Sequence, residues 1–81
     1  KAVLPGIESP LSRLIAAGVL LRSGHLDAAD IAVAVDTASD QGWRRALLAW
    51  LEIQARQAES RGDHDTALHA RRRAELAGGS R

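Results

Sequence analysis

The chain has 81 residues, room for one small domain, and 46% of them are apolar although it contains no Phe, Tyr, Met or Cys. A net charge of +1 does not suit an obligate nucleic-acid binder, and the lack of cysteine rules out disulfides and thiolate zinc sites. The longest apolar run, LIAAGVLL at 14–21, is too short to span a bilayer.

The apolar share is mostly Ala, Leu, Val and Ile, with Trp43 and Trp50 as the only aromatics. Such a core is built from backbones that approach closely over alanine, which is a helix-packing composition; strand proteins lean on β-branched and aromatic residues. Sixteen alanines, and ten arginines against one lysine, suggest a GC-rich bacterial genome. Because it begins at Lys1, the chain is expected to be a fragment or a processed product, with the cytoplasm as its expected compartment.

Residues 1–9 are expected to form an N-terminal extended segment. The first helix then opens on Ser9 as a cap and Pro10 at the first helical position, with apolar residues at Leu11, Leu14, Ile15, Gly18 and Leu21. Gly24 should end it in a left-handed conformation. The second helix is expected from about Leu26 to Ser39, with Ala28, Ile31, Ala32, Val35 and Ala38 on one face; the Ala-rich flanks of IAVAV favour helix over strand. SDQG breaks the chain. The third helix runs from about Trp43 to Ser60 on Trp43, Leu47, Trp50, Leu51 and Ala58, and Gly62 ends it. Asp63 or Asp65 can cap the fourth, whose narrow stripe of Ala67, Ala70, Ala74 and Ala77 lies opposite Arg71, Arg72 and Arg73. Short connections make neighbouring helices antiparallel, so residues 10–77 are expected to form a single all-α domain of two helical hairpins, 10–40 and 43–77, followed by a flexible tail at 78–81.

SGHLDAAD at 23–30 is echoed 38 residues later by RGDHDTAL at 61–68. At that offset Ile15/Ile53, Ala17/Ala55, Gly24/Gly62, Asp27/Asp65, Ala29/Ala67 and Ala32/Ala70 coincide. A Gly at a bend and an Ala five residues on are what two closely packed helices need. GDHDTALHARRRAELAGG resembles the second half of a tetratricopeptide (TPR) repeat, with Gly62 and Asp63 at the bend, Ala67 at the tight helix contact and Ala74 at the later small position. GHLDAADIAVAVDTASD keeps Gly24, Asp27 and Ala29 but places Asp36 at the later position. The echo is one helical turn longer than the usual period of about 34 residues, and neither copy has the Pro that often closes a repeat.

The resemblance implies four antiparallel helices as two stacked TPR-like helical hairpins, the alternative being a four-helix bundle. It also implies a protein-binding groove lined by the first helix of each pair: Leu11, Leu14, Gly18 and Leu21, then Ala49, Glu52, Arg56 and Glu59. TPR domains that grip chaperone tails clamp a carboxylate with Lys and Asn, whereas this chain has no Asn and only Lys1.

Between Leu11 and Leu21 the only polar residues are Ser12 and Arg13. A helix so nearly apolar all round expects cover on more than one side, either as the centre of a bundle or beneath the N-terminal KAVLPGI folding back, a second copy of the chain or a different protein. Two hairpins are also fewer than the three repeats that solenoids generally need, which points to association. Residues 1–42 carry a net charge of −2 and residues 43–81 a net charge of +3, which would suit head-to-tail or antiparallel pairing.

Other residues invite chemistry. His64–Asp65 with His69 suggests a metal site, but the two histidines are five apart, on different faces of a helix, and His25 stands at the other bend. Arg71, Arg72 and Arg73, with Arg44, Arg45 and Arg56, suggest a nucleic-acid patch. Three consecutive residues fan around a helix, however, and no aromatic is interleaved for stacking. Trp43 and Trp50 share a helix face as core or as interface anchors, Trp43 being the more exposed candidate.

No Ser-His-Asp, Cys-His or paired-Glu constellation can be assembled, and no motif calls for a cofactor, a metal or a small-molecule substrate. The chain therefore reads as a non-enzymatic scaffold, adaptor or chaperone-like module that binds another protein or a second copy of itself. Leu11, Leu14, Leu21, Trp43, Glu52 and Arg56 are the expected contact residues. The competing readings are a helical nucleic-acid binder using the basic half and an oligomerisation segment of a larger protein.

Overall fold

Four helices appear in a computed structural model that describes residues 9–78: α1 (Pro10–Ser23), α2 (Ala28–Gln41), α3 (Arg44–Ser60) and α4 (His64–Gly78). There is no strand among the described residues, and IAVAV lies within α2. Apart from Ser9 and Gly78, the segments expected at 1–9 and 78–81 lie outside the described residues. Ser9 caps α1 by accepting from the Ser12 N–H, and Gly78 belongs to α4.

One device closes each of the first three helices. At the first bend the Gly24 N–H reaches the Leu21 carbonyl and the His25 N–H reaches the Leu20 carbonyl at 3.0 Å. Gly42 with Trp43 repeats this arrangement after α2, and Gly62 with Asp63 after α3. Each bend satisfies carbonyls that the helix end leaves open, and it turns on a left-handed residue such as Gly42, φ 72°. Tight bends of this kind send consecutive helices back alongside one another.

Two helix starts differ from the sequence expectation. The Asp27 carboxylate accepts from the Asp30 N–H at 2.9 Å, so α2 begins at Ala28 rather than Leu26. Trp43 is still held by the bend of α2 and its side chain makes no cap, so α3 begins at Arg44.

The core runs through all four helices: Ala17 from α1, Ile31, Ala34 and Val35 from α2, Trp50, Leu51 and Ala55 from α3, and Ala70 from α4. Half of these are alanines, so large side chains fill the space only around Ile31, Val35, Trp50 and Leu51. α1 packs on α2, α2 on α3, and α3 most extensively on α4. No Cα of α1 comes within 8 Å of α3 or α4, nor any Cα of α2 within 8 Å of α4. Among the described residues the helices therefore form an open succession of neighbours.

The 38-residue echo holds only as far as the bends. Ala17 and Ala55 are both buried, and Gly24 and Gly62 both turn the chain, although Ile15 is exposed where Ile53 packs against the core. Beyond them the register shifts, because α2 is capped by Asp27, three residues after its glycine, and α4 by Asp63, directly after its own. Two residues rotate a helix by about 200°. Ala67 is accordingly buried while Ala29 is exposed. The buried positions of the returning helices correspond at an offset of 36, pairing Ile31 with Ala67 and Ala34 with Ala70.

Candidate docking surface

α1 gives one face to α2 and leaves the other without cover among the described residues. Ala17 is buried, Leu14, Ala16 and Leu20 pack against the core, and the Arg13 guanidinium donates to Thr37 Oγ1 on α2 at 3.1 Å. On the far side Leu11, Ile15 and Val19 recur every fourth residue and are 59%, 59% and 56% exposed. That is one continuous apolar stripe about 12 Å long at 1.5 Å per residue. Arg22 lies at its C-terminal end and is exposed.

The expected contact residues divide. Leu11 and Leu21 are exposed, while Leu14 is half-buried against the core. Ile15 and Val19, outside the expected groove face, belong to the exposed stripe. Trp50 is buried and Trp43 half-buried, in the expected order. Glu52 and Arg56 are exposed on α3 and pair with each other at 2.8 Å, one turn apart. Because α1 and α3 do not approach each other, the two rows do not line a common groove. The open cleft that includes Glu52 lies between α3 and α4, over Leu48, Leu51, Ala55 and Ala74, with Arg71 and Glu75 at its edge.

α4 has a second outward apolar pair. Leu68 and Leu76 are 57% and 83% exposed, with Arg72 midway between them and Asp65 one turn before Leu68. These positions lie on the side of the helix opposite Ala67, Ala70 and Ala74.

Several of the ionisable groups are committed to local structure. Asp63 caps α4 by accepting from the Thr66 N–H at 3.2 Å. Its carboxyl is held below its ordinary range by the Thr66 side chain first and the Thr66 N–H second, aided by the charges of Arg61 and His64. Asp65, His64 and His69 are exposed, and no three His, Asp or Glu side chains among the described residues converge as a metal site would require. Arg71 pairs with Glu59 across the α3–α4 seam, while Arg72 and Arg73 point elsewhere around the exposed side of α4. Asp30 is the one buried ionisable side chain among the described residues, and its Oδ1 lacks a hydrogen-bond partner. It stands in the first turn of α2, where the helix dipole favours a negative charge.

Compared with known proteins, the chain matches no family model, no curated protein and no solved structure. None of the described helices is long and apolar enough to cross a membrane.

Proposed function

We propose that the chain is a non-enzymatic protein–protein interaction module, two TPR-like helical hairpins acting as a scaffold, adaptor or chaperone-like piece. The outward face of α1 is its contact surface. The observation that carries this reading is the Leu11–Ile15–Val19 stripe, three large apolar side chains left in water on a helix whose other face is already used. Scattered exposed leucines are ordinary on a protein surface, whereas a contiguous stripe is the mark of a docking face.

The basic half supports the nucleic-acid alternative less well. Arg56 and Arg71 are tied to Glu52 and Glu59, and Arg71, Arg72 and Arg73 spread around α4 rather than forming one basic track. Binding that rests on phosphate contacts would weaken steeply with salt, while apolar docking would not.

The test is uptake of a solvatochromic apolar dye by the dilute protein. Ile15→Asp should lower uptake severalfold while the helical circular dichroism stays unchanged, whereas Leu76→Asp should lower it little. Undiminished uptake in Ile15→Asp, or tight salt-sensitive binding of duplex DNA lost on replacing Arg72 and Arg73, would overturn the proposal.

A further inference from the structure

The buried residues of α2 form one arc with two unlike edges. At one edge Ile31 and Val35 join Trp50 and Leu51 in the core. At the other stand Asp30, Ala34 and Thr37, at helical spacing. Thr37 accepts from Arg13 of α1 at 3.1 Å, so this is the edge that α1 covers. Asp30 precedes Thr37 by seven residues, which returns it to the same face within about 20° and sets it about 10 Å away along the axis. On the antiparallel α1, the residue seven on from Arg13 is Leu20, which packs against the core and stands level with Asp30.

The α1–α2 seam therefore rests on two polar side chains and a methyl group from α2, against Ala17 as the single fully buried residue of α1. Arg13 satisfies Thr37 at one end. At the other end Asp30 is 4% exposed, and its Oδ1 has no hydrogen-bond partner among the described residues. An unsatisfied carboxyl oxygen burdens the docked state and regains water as soon as α1 leaves. The helix dipole does not offset this. Asp30 stands in the first turn of α2 whether or not α1 is docked, so that favourable term is common to both states. Release of α1 also uncovers chiefly Ala34 on α2, whereas parting α3 from its neighbours would uncover Trp50 and Leu51.

We propose that α1 is a releasable arm: Asp30 keeps the α1–α2 seam poised to open, and α1 leaves α2 as a unit while α2, α3 and α4 stay packed. The released helix uncovers Leu14, Ala17 and Leu20, a second apolar side that the docked helix hides. This device belongs to the first hairpin alone and is independent of what docks on Leu11, Ile15 and Val19.

The experiment is thiol labelling of the dilute protein under native conditions. The chain has no cysteine, so one introduced thiol reports one position. Ala17→Cys sets it in the α1–α2 seam and Ala55→Cys in α3, at sites 0% and 1% exposed. Ala17→Cys should label about a hundredfold faster than Ala55→Cys, because the first needs only release of α1 and the second a wider opening. Adding Asp30→Leu should slow labelling of Ala17→Cys about tenfold, since the orphaned oxygen is gone. Asp30→Ala, which deletes the carboxyl without adding bulk, should also slow it. Ala70→Gly, in the part of the core that α4 supplies, should speed labelling of Ala55→Cys and leave that of Ala17→Cys unchanged.

Equal labelling rates for Ala17→Cys and Ala55→Cys, or a common acceleration by Ala70→Gly, would mean that the four helices open together, which overturns the inference. Labelling of Ala17→Cys that neither Asp30→Leu nor Asp30→Ala slows, with helical circular dichroism retained, also overturns it, because Asp30 would then not govern the seam.

Discussion

Three residues show how local physics decides this chain. Asp27, Asp63 and Asp65 are all acids near a helix start, but only the first two cap one. Asp27→Ala should lower stability by about 1 kcal/mol, while Asp65→Ala should change the unfolding midpoint little. Equal losses in the two variants would mean that the cap register of α4 is wrong. Asp63 adds a pH dependence whose sign is fixed. Its folded pKa lies below the unfolded value, so its stabilisation is present above the ordinary carboxylate range and is lost as pH falls through the depressed value. The Thr66 amide resonance should follow that titration below the ordinary range, and Asp63→Asn should remove the response. Gly18 is the opposite case, a glycine inside a helix where an added Cβ would meet nothing within 4 Å. Gly18→Ala should stabilise the monomer by about 0.5–1 kcal/mol in denaturant unfolding.

At the scale of the element, the helices differ in how legible their faces were. α3 and α4 mix apolar and charged residues at helical spacing, so the inward stripe of Ala67, Ala70, Ala74 and Ala77 could be named from sequence, and the first two are fully buried while the last two are half-buried. α1 is apolar nearly all round, and its Arg13 turns inward to Thr37, so polar residues barely mark its outside. The expected groove face accordingly named Leu14, which packs inward, and left out Ile15 and Val19. The spacing of Leu11, Ile15 and Val19 was present in the chain, but periodicity cannot tell two apolar stripes on one helix apart. α2 misled differently: its Asp30 is buried and its Ala29 exposed, because the cap sets where the helix begins and so which side faces the core. Energetics should follow these faces. Leu51→Ala, at a side chain with no exposed surface, should cost about 2–5 kcal/mol, and Leu76→Ala should leave the monomer's stability nearly unchanged.

For the whole molecule the open succession of helices has a dynamic consequence. Among the described helices α1 packs on α2, with Ala17 as its single buried residue, while α3 is packed on both sides through Trp50, Leu51, Ala55 and Ala58. Stability in such an array is local to each neighbour pair. Amide hydrogen exchange of the dilute protein should be slowest in α3 and fastest, among the four helices, in α1. Uniform protection across the helices would show that the four helices open as one unit.

The sequence by itself determined the all-α class, the four helices, the three glycine bends and the inward stripe of α4. Each of these follows from interactions within a few residues of one another: caps, left-handed turns and the helical period. The tertiary structure decided the rest. It placed α1 against α2, chose Asp63 over Asp65, turned the two returning helices to an offset of 36 residues, and left Leu11, Ile15 and Val19 facing outward. Those outcomes depend on which neighbour covers which face, and a helix that is apolar all round satisfies its own backbone equally well whichever side is covered.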